Sequence, residues 1–321
     1  MNFFLRRPSF KAQKSDVAIK ASDSFSAANS RMVSRVVSTV GTDADPGLLD
    51  PVFYSCPGNG GFKIRGANYL KDKRKVAASE PQFRLASVHL VEVPQPTFDI
   101  ARLLPNIRDP KADLTFVLQL MVPGPPHLAL TIAWSGSLPA GHPAMAPQDL
   151  IPAAMAGAAC AAANGAAATA AEPACNKAPA SPFSQLLTRF LEGQGEEADR
   201  RRHTGFKLIP SVVQASWIIK QAVGQKPVLL GQKLTTKYFR GPGYFEVDVD
   251  VGSSRSAAAA VSLVSGATKS MVIDMAVLFE GQTPEQLPEN LLGTVRFSHL
   301  DMKTAPFFDT QTGIMHPPRR S

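Results

Sequence analysis

At 321 residues, 44% of them hydrophobic, the chain can hold one large or two ordinary domains with a sizeable core. Its net charge of +8 favours anionic partners, whether acidic lipid headgroups, phosphate esters or nucleic acid, without choosing among them. Three widely spaced cysteines, Cys56, Cys160 and Cys175, form no disulfide framework or zinc motif and fit a reducing compartment. No apolar run reaches the roughly 18 to 20 residues that a membrane-spanning helix needs.

Residues 1–49 are rich in Ser, Lys and Arg and are expected to be a disordered tail; a plastid or mitochondrial transit peptide is the alternative, against which Asp16 and Asp23 count. Strands are predicted at FKIRG (62–66), RLASVHLVEV (84–93), DLTFVLQLMV (113–122) and HLALTIAW (127–134), the last two joined by Pro123-Gly124-Pro125-Pro126. Residues 139–181, nearly all Ala, Pro and Gly, have no bulky face to bury and read as a disordered insertion.

After the insertion, Ser181-Pro182 caps a helix with Phe183, Leu186, Leu187, Phe190 and Leu191 on one stripe. A second helix, from about Val212 to Val223, is expected to be deeply buried because its apolar residues crowd all round. KLTTKYF (233–239) and YFEVDVDV (244–251) make a hairpin around Arg240-Gly241-Pro242-Gly243. A Ser-capped helix over 253–267 and strands at 270–281 and 293–302 complete the domain, leaving 304–321 as a C-terminal tail. The sum is an α+β fold: a curved, mainly antiparallel sheet packed by a few helices.

Three groups of side chains are candidates for function. Glu246, Asp248 and Asp250 alternate along one strand, so they share a face opposite Phe245, Val247 and Val249; that face is either a solvated or ion-paired one or a polar functional site, and the same two readings apply to Asp274, expected near it. Gly252-Ser253-Ser254 opens a helix whose first N–H groups can hold an anion, although Ser253 or Ser254 can equally serve only as the cap. Arg65, Lys71, Lys73, Arg74 and Lys75 form one basic group around Tyr69 and Leu70, and Arg200, Arg201, Arg202, His203 and Lys207 form another. Such groups are a solvated face, a nucleic-acid contact or an acidic-lipid contact, and the apolar residues among the first favour lipid. The six histidines are isolated and no nucleophile elbow or nucleotide loop is present, so neither a catalytic residue, a metal nor a cofactor is indicated.

GFKIRGANYLKDKRKVAA (61–78), GFKLIPSVVQASWIIKQAVGQKPVLLGQKLTTKYFRGPGYFEVDVDVGSS (205–254) and LPENLLGTVRFSHLD (287–301) resemble, in order and spacing, the C-terminal domain of the plant Enhanced Disease Resistance 2 proteins. The similarity spans roughly residues 50–303 apart from the insertion. In the larger plant members a pleckstrin-homology domain and a START lipid-binding domain precede this one; 321 residues leave room for neither, and a stand-alone form of the domain is expected. The resemblance implies a context of lipids and membranes but supplies no catalytic residue. The expectation is therefore a cytoplasmic, peripheral membrane module that recognises anionic lipid headgroups without catalysis and without nucleic acid. A protein-interaction module and a hydrolase built on the Glu246, Asp248 and Asp250 face are the rivals.

Overall fold

A computed structural model describes residues 47–318, apart from 105, 110, 140–141, 143–179 and 224–225. The expected disorder of the N-terminal tail and of most of the alanine-rich insertion, with Cys160 and Cys175, concerns residues outside the described ones. The fold is α+β with mainly antiparallel, curled sheets, as the strand pattern predicts, but two large sheets carry it rather than one. The first runs in the order β14 (Ile314–His316), β13 (Phe307–Asp309), β4 (Arg84–Val93), β6 (His127–Gly136), β5 (Leu114–Val122), β10 (Tyr244–Asp250), β9 (Thr235–Gly241). The second runs β1 (Tyr54–Ser55), β12 (Leu291–Ser298), β11 (Val272–Phe279), β7 (Phe206–Gln214), β8 (Val228–Leu229). Among the described strands only the β5–β10 and β4–β13 pairings are parallel.

The period-two alternation of each strand sends one apolar row into the layer between the sheets. Phe116, Ile132, Trp134, Phe245 and Val247 of the first sheet share one core with Phe206, Val277, Phe279 and Val295 of the second. Trp134 crosses the layer and donates its indole N–H to the Thr294 carbonyl at 2.9 Å. Gly293 permits that approach, because a Cβ there would stand 2.5 Å from the indole ring.

Helix α2 (Pro182–Leu191) forms where predicted; the Ser181 hydroxyl accepts from Ser184 N at 3.1 Å and caps it. Its stripe drives Phe183, Leu187 and Phe190 into the inter-sheet core, with the Phe190 and Phe279 rings 4.8 Å apart. The outer face of the second sheet is covered by the hairpin of β2 (Lys63–Arg65) and β3 (Lys75–Ala77), through Phe62, Ile64 and Ala78. Between those strands lies the single helical turn α1 (Tyr69–Asp72). The outer face of the first sheet is covered by the connection from β4 to β5, with Ile100, Leu104 and Ile107 packed on Val91, Val117 and Ala133.

Two expectations are corrected. The helix predicted over 212–223 is a strand as far as Gln214, and only α4 (Trp217–Val223) is helical. Pairing with β11, where Val212 faces Ile273, overrides the helical spacing of these β-branched residues. Pro210 is tolerated because β8 bonds β7 only at Lys207 and Leu208, so on that side the strand is an edge by Pro210. Nor is the helix deeply buried: Trp217 is 71% and Ile218 52% exposed. The segment after 303, expected to be a tail, adds β13 and β14 to the first sheet, where Phe308 is buried.

Candidate functional site

The acidic row on β10 is not a wet face. Glu246 and Asp248 are 0% exposed, because the β4–β5 connection crosses directly over them. Asp99 N donates to Asp248 Oδ2 at 2.7 Å and Ala101 N to Glu246 Oε1 at 3.1 Å, so the two carboxyls take up the free amides at the start of a 3-10 turn (Ile100–Arg102). Gln119, opposite Asp248 on β5, fastens the same segment through Thr97 O at 2.9 Å. Burial, then the adjacent Asp248 charge, pushes the Glu246 carboxyl well above the usual range, and burial pushes Asp248 up to about 7. The solvated, ion-paired reading is therefore overturned: the pair is an internal clamp.

The other acids lie elsewhere. Asp250 sits at the strand end, where its carbonyl accepts the Ser253 hydroxyl at 2.6 Å. Asp274 belongs to the second sheet and makes a two-point pair with Arg296, at 2.6 and 2.8 Å, instead of lying near β10. His89 shares a cross-strand row with Thr131, Gln119 and Asp248, three strands and roughly 14 Å away at the usual spacing. Among the described residues no concave site joins these acids to a histidine.

The serines are engaged locally. Ser253 Oγ accepts from Thr235 N at 2.9 Å and so ties the two ends of the β9–β10 hairpin, while Ser254 occupies the N-cap of α6 (Arg255–Ser265) without a side-chain cap bond and lies 3.1 Å from the Ser256 hydroxyl. Both basic groups are divided between surface and interior. Lys71, Lys73, Arg74 and Lys75 are exposed, whereas Arg65 bonds Gly281 O at 2.8 Å and pairs with Glu280 at 3.1 Å. On α3 (Glu196–His203), Arg200 is exposed and pairs with Glu197 at 2.9 Å, and Arg201 is exposed. Arg202, in contrast, is 3% exposed, and is therefore structural rather than headgroup-facing. Its guanidinium closes the end of α2 by donating to Phe190 O, Glu192 O and Gly193 O at 2.8, 3.0 and 2.8 Å, and pairs with Asp199 at 2.7 Å.

The feature that the motifs did not reveal is a cavity of about 290 Å³ between the two sheets. Leu120 and Leu130 of the first sheet and Leu208 and Met275 of the second form its walls, and α6 covers it with Ala257, Ala260, Val261 and Val264. Of 21 lining residues only Thr268 has a polar side chain, and its hydroxyl is engaged with Ser265 O at 3.3 Å. No residue of α6 is fully buried, and it packs on the core only through the half-buried Val261 and Val264, so this helix covers the cavity without filling it. Beside it, Val213, Trp217 and Ile218 are exposed while Ile219 packs on Met271 beneath, so α4 turns a large apolar surface outward next to the cavity wall.

The family model described as Protein ENHANCED DISEASE RESISTANCE 2, C-terminal, matches residues 54–301. The chain belongs to this family. A relative from Arabidopsis thaliana, Protein ENHANCED DISEASE RESISTANCE 2-like, is 30% identical over 247 residues, which are 76% of this chain and 28% of the relative. No solved structure matches the chain. The family match runs through the β1 to β12 core, so both sheets of the Enhanced Disease Resistance 2 C-terminal domain and the cavity between them fall within it, save the β13–β14 hairpin. Among the described residues no helix is long and apolar enough to cross a membrane.

The cavity-lining residues are individually ordinary aliphatic core positions, which is why sequence reasoning passed over them. One signal was available: α6, SAAAAVSLVS (256–265), offers small side chains where α2 offers phenylalanines.

Proposed function

We propose that this domain binds the hydrocarbon chain of a lipid in the inter-sheet cavity and exchanges it at an anionic membrane surface. The carrying observation is the cavity itself: about 290 Å³, at the small end of the range for ligand pockets, with an almost wholly aliphatic lining. A void of that chemistry gives water no partners, and each methylene moved into it from water gains about 0.8 kcal/mol. Helix α6 holds the core only through the half-buried Val261 and Val264 and has no fully buried side chain, so moving it aside costs little. Trp217, Ile218 and Val213, with Lys220 exposed on the same helix as the first two, are a suitable membrane contact: an aromatic and two aliphatics for the interface, and a basic group worth about 1 kcal/mol near acidic headgroups.

Native mass spectrometry of the purified chain, with and without added lipid, tests the reading. A chain-bearing lipid is expected to remain bound to the wild type and to be lost from Ala260→Phe, which fills the cavity. A folded wild type that retains no lipid after incubation with vesicles would sink it.

A further inference from the structure

A second depression lies against the other side of the cavity wall. Arg65 and Lys75 of the β2–β3 hairpin, Lys207 of β7 and Lys233 of the turn α5 (Leu230–Lys233) line a cleft of about 440 Å³. The floor is a closed ion network. Lys207, 4% exposed, holds Nζ 2.6 Å from Glu289 and 3.5 Å from Glu280, and Arg65 bridges the same two acids at 3.7 and 3.1 Å. Glu289 also accepts the Arg65 and Gly281 amides, at 3.0 and 3.1 Å, so both its oxygens are occupied. Two cations balance two acids there. The rim lysines, Lys75 and Lys233, are exposed and make no ion pair among the described residues, which leaves the cleft with an excess of positive charge.

The wall between cleft and cavity is one segment thick. Along residues 228–234, Leu230 and Leu234 face the cavity, Leu229, Gln232 and Lys233 face the cleft, and Val228 lines both. An apolar compartment and a cationic compartment thus share a wall, and the ligand chemistry that matches both is a single amphiphile with an acyl chain and a phosphate head. We propose that the cleft is the anion site for that head, with Lys75 and Lys233 meeting the phosphate oxygens and the Arg65–Lys207 network holding the floor rigid. Lysine suits this role as a compact charge with rotatable donors. The inference rests on the cavity reading, which supplies the chain.

Both lysines are exposed, so the double variant Lys75→Gln/Lys233→Gln is expected to fold with an unchanged thermal midpoint. Wild type and variant are titrated, below micellar concentrations, with lysophosphatidic acid, with monoacylglycerol of the same chain and with inorganic phosphate. The wild type is expected to favour lysophosphatidic acid over monoacylglycerol by at least about tenfold. The variant is expected to lose that preference while it binds monoacylglycerol as before. Equal binding of the two acyl ligands by the wild type, or a preference that survives in the variant, would overturn the headgroup site. Inorganic phosphate binding as tightly as lysophosphatidic acid would make the cleft a free-anion site and overturn its link to the cavity. Failure of monoacylglycerol alone would remove the chain site, and failure of both acyl ligands would remove the two sites together.

Discussion

The two ends of the inter-sheet layer are built from the same strands and filled differently. At one end Phe116, Phe206, Phe245 and Phe279 meet the stripe of α2, and Phe190 lies within 4.8 to 6.0 Å of all four rings. Two to four residues further along β5 and β7, Leu120, Leu208 and Pro210 meet α6, whose facing side chains are Ala257, Ala260, Val261 and Val264. Sheet separation is set by the larger side chains at the filled end, so smaller ones at the other end cannot meet across the gap. A binding cavity arises here from a difference in side-chain volume, with no change of fold.

Removing bulk should therefore be costly at one end only. Phe190→Ala should destabilise the domain by about 3 to 5 kcal/mol in chemical denaturation, since it opens a void among four rings and above Arg202. The matching deletion at the open end, Val264→Ala, should cost well under half of that, because the site is already partly empty.

The outer face of the first sheet supplies a contrast of its own, between a sealed polar layer and the open apolar one. Glu246 and Asp248 have folded values raised above the ordinary carboxylate ones, so between about pH 4 and pH 7 the folded state holds more protons than the unfolded chain. Their contribution to stability is therefore fully present at low pH and is lost as pH rises towards and through the Asp248 value of about 7. Asp248→Asn keeps an acceptor for the Asp99 amide, and should narrow the fall in stability between pH 5 and pH 8 measured by urea titration.

Filling the open end sharpens the comparison in the other direction. Ala260→Phe should leave stability unchanged or raise it by about 0.5 to 2 kcal/mol, where a comparable insertion into a packed core destabilises. Trp217→Ser should have the smallest effect on folding, within about 0.5 kcal/mol, since its side chain is largely in water; co-sedimentation with acidic vesicles should nevertheless fall.

Much of the domain was legible without coordinates. The period-two runs at 84–93, 113–122, 127–134 and 244–251 became β4, β5, β6 and β10 almost residue for residue, and Ser181-Pro182 began a helix where the cap and stripe required one. Family membership was likewise carried by three contiguous motifs. The candidate site was much less visible. Of the basic residues singled out, Arg65 and Lys75 came together with Lys207, but Lys233, which with Lys75 gives the cleft its excess charge, and Glu289, which pairs with Lys207 beneath it, carried no local signal.

What the sequence by itself determined was local: which segments extend, which helix has a bulky stripe, and that β10 has one apolar and one acidic row. What only the tertiary structure decided was what lies over each face. Alternation says that the row of Glu246 and Asp248 differs from the row of Phe245 and Val247, but not that a distant connection will bury it. Val212 fits a helix by spacing until β11 offers it a ladder, and leucines at 120, 130 and 208 look like filled core until the helix above them proves too small to reach. Patterning follows from neighbours along the chain, whereas burial and voids follow from volumes that meet only in space.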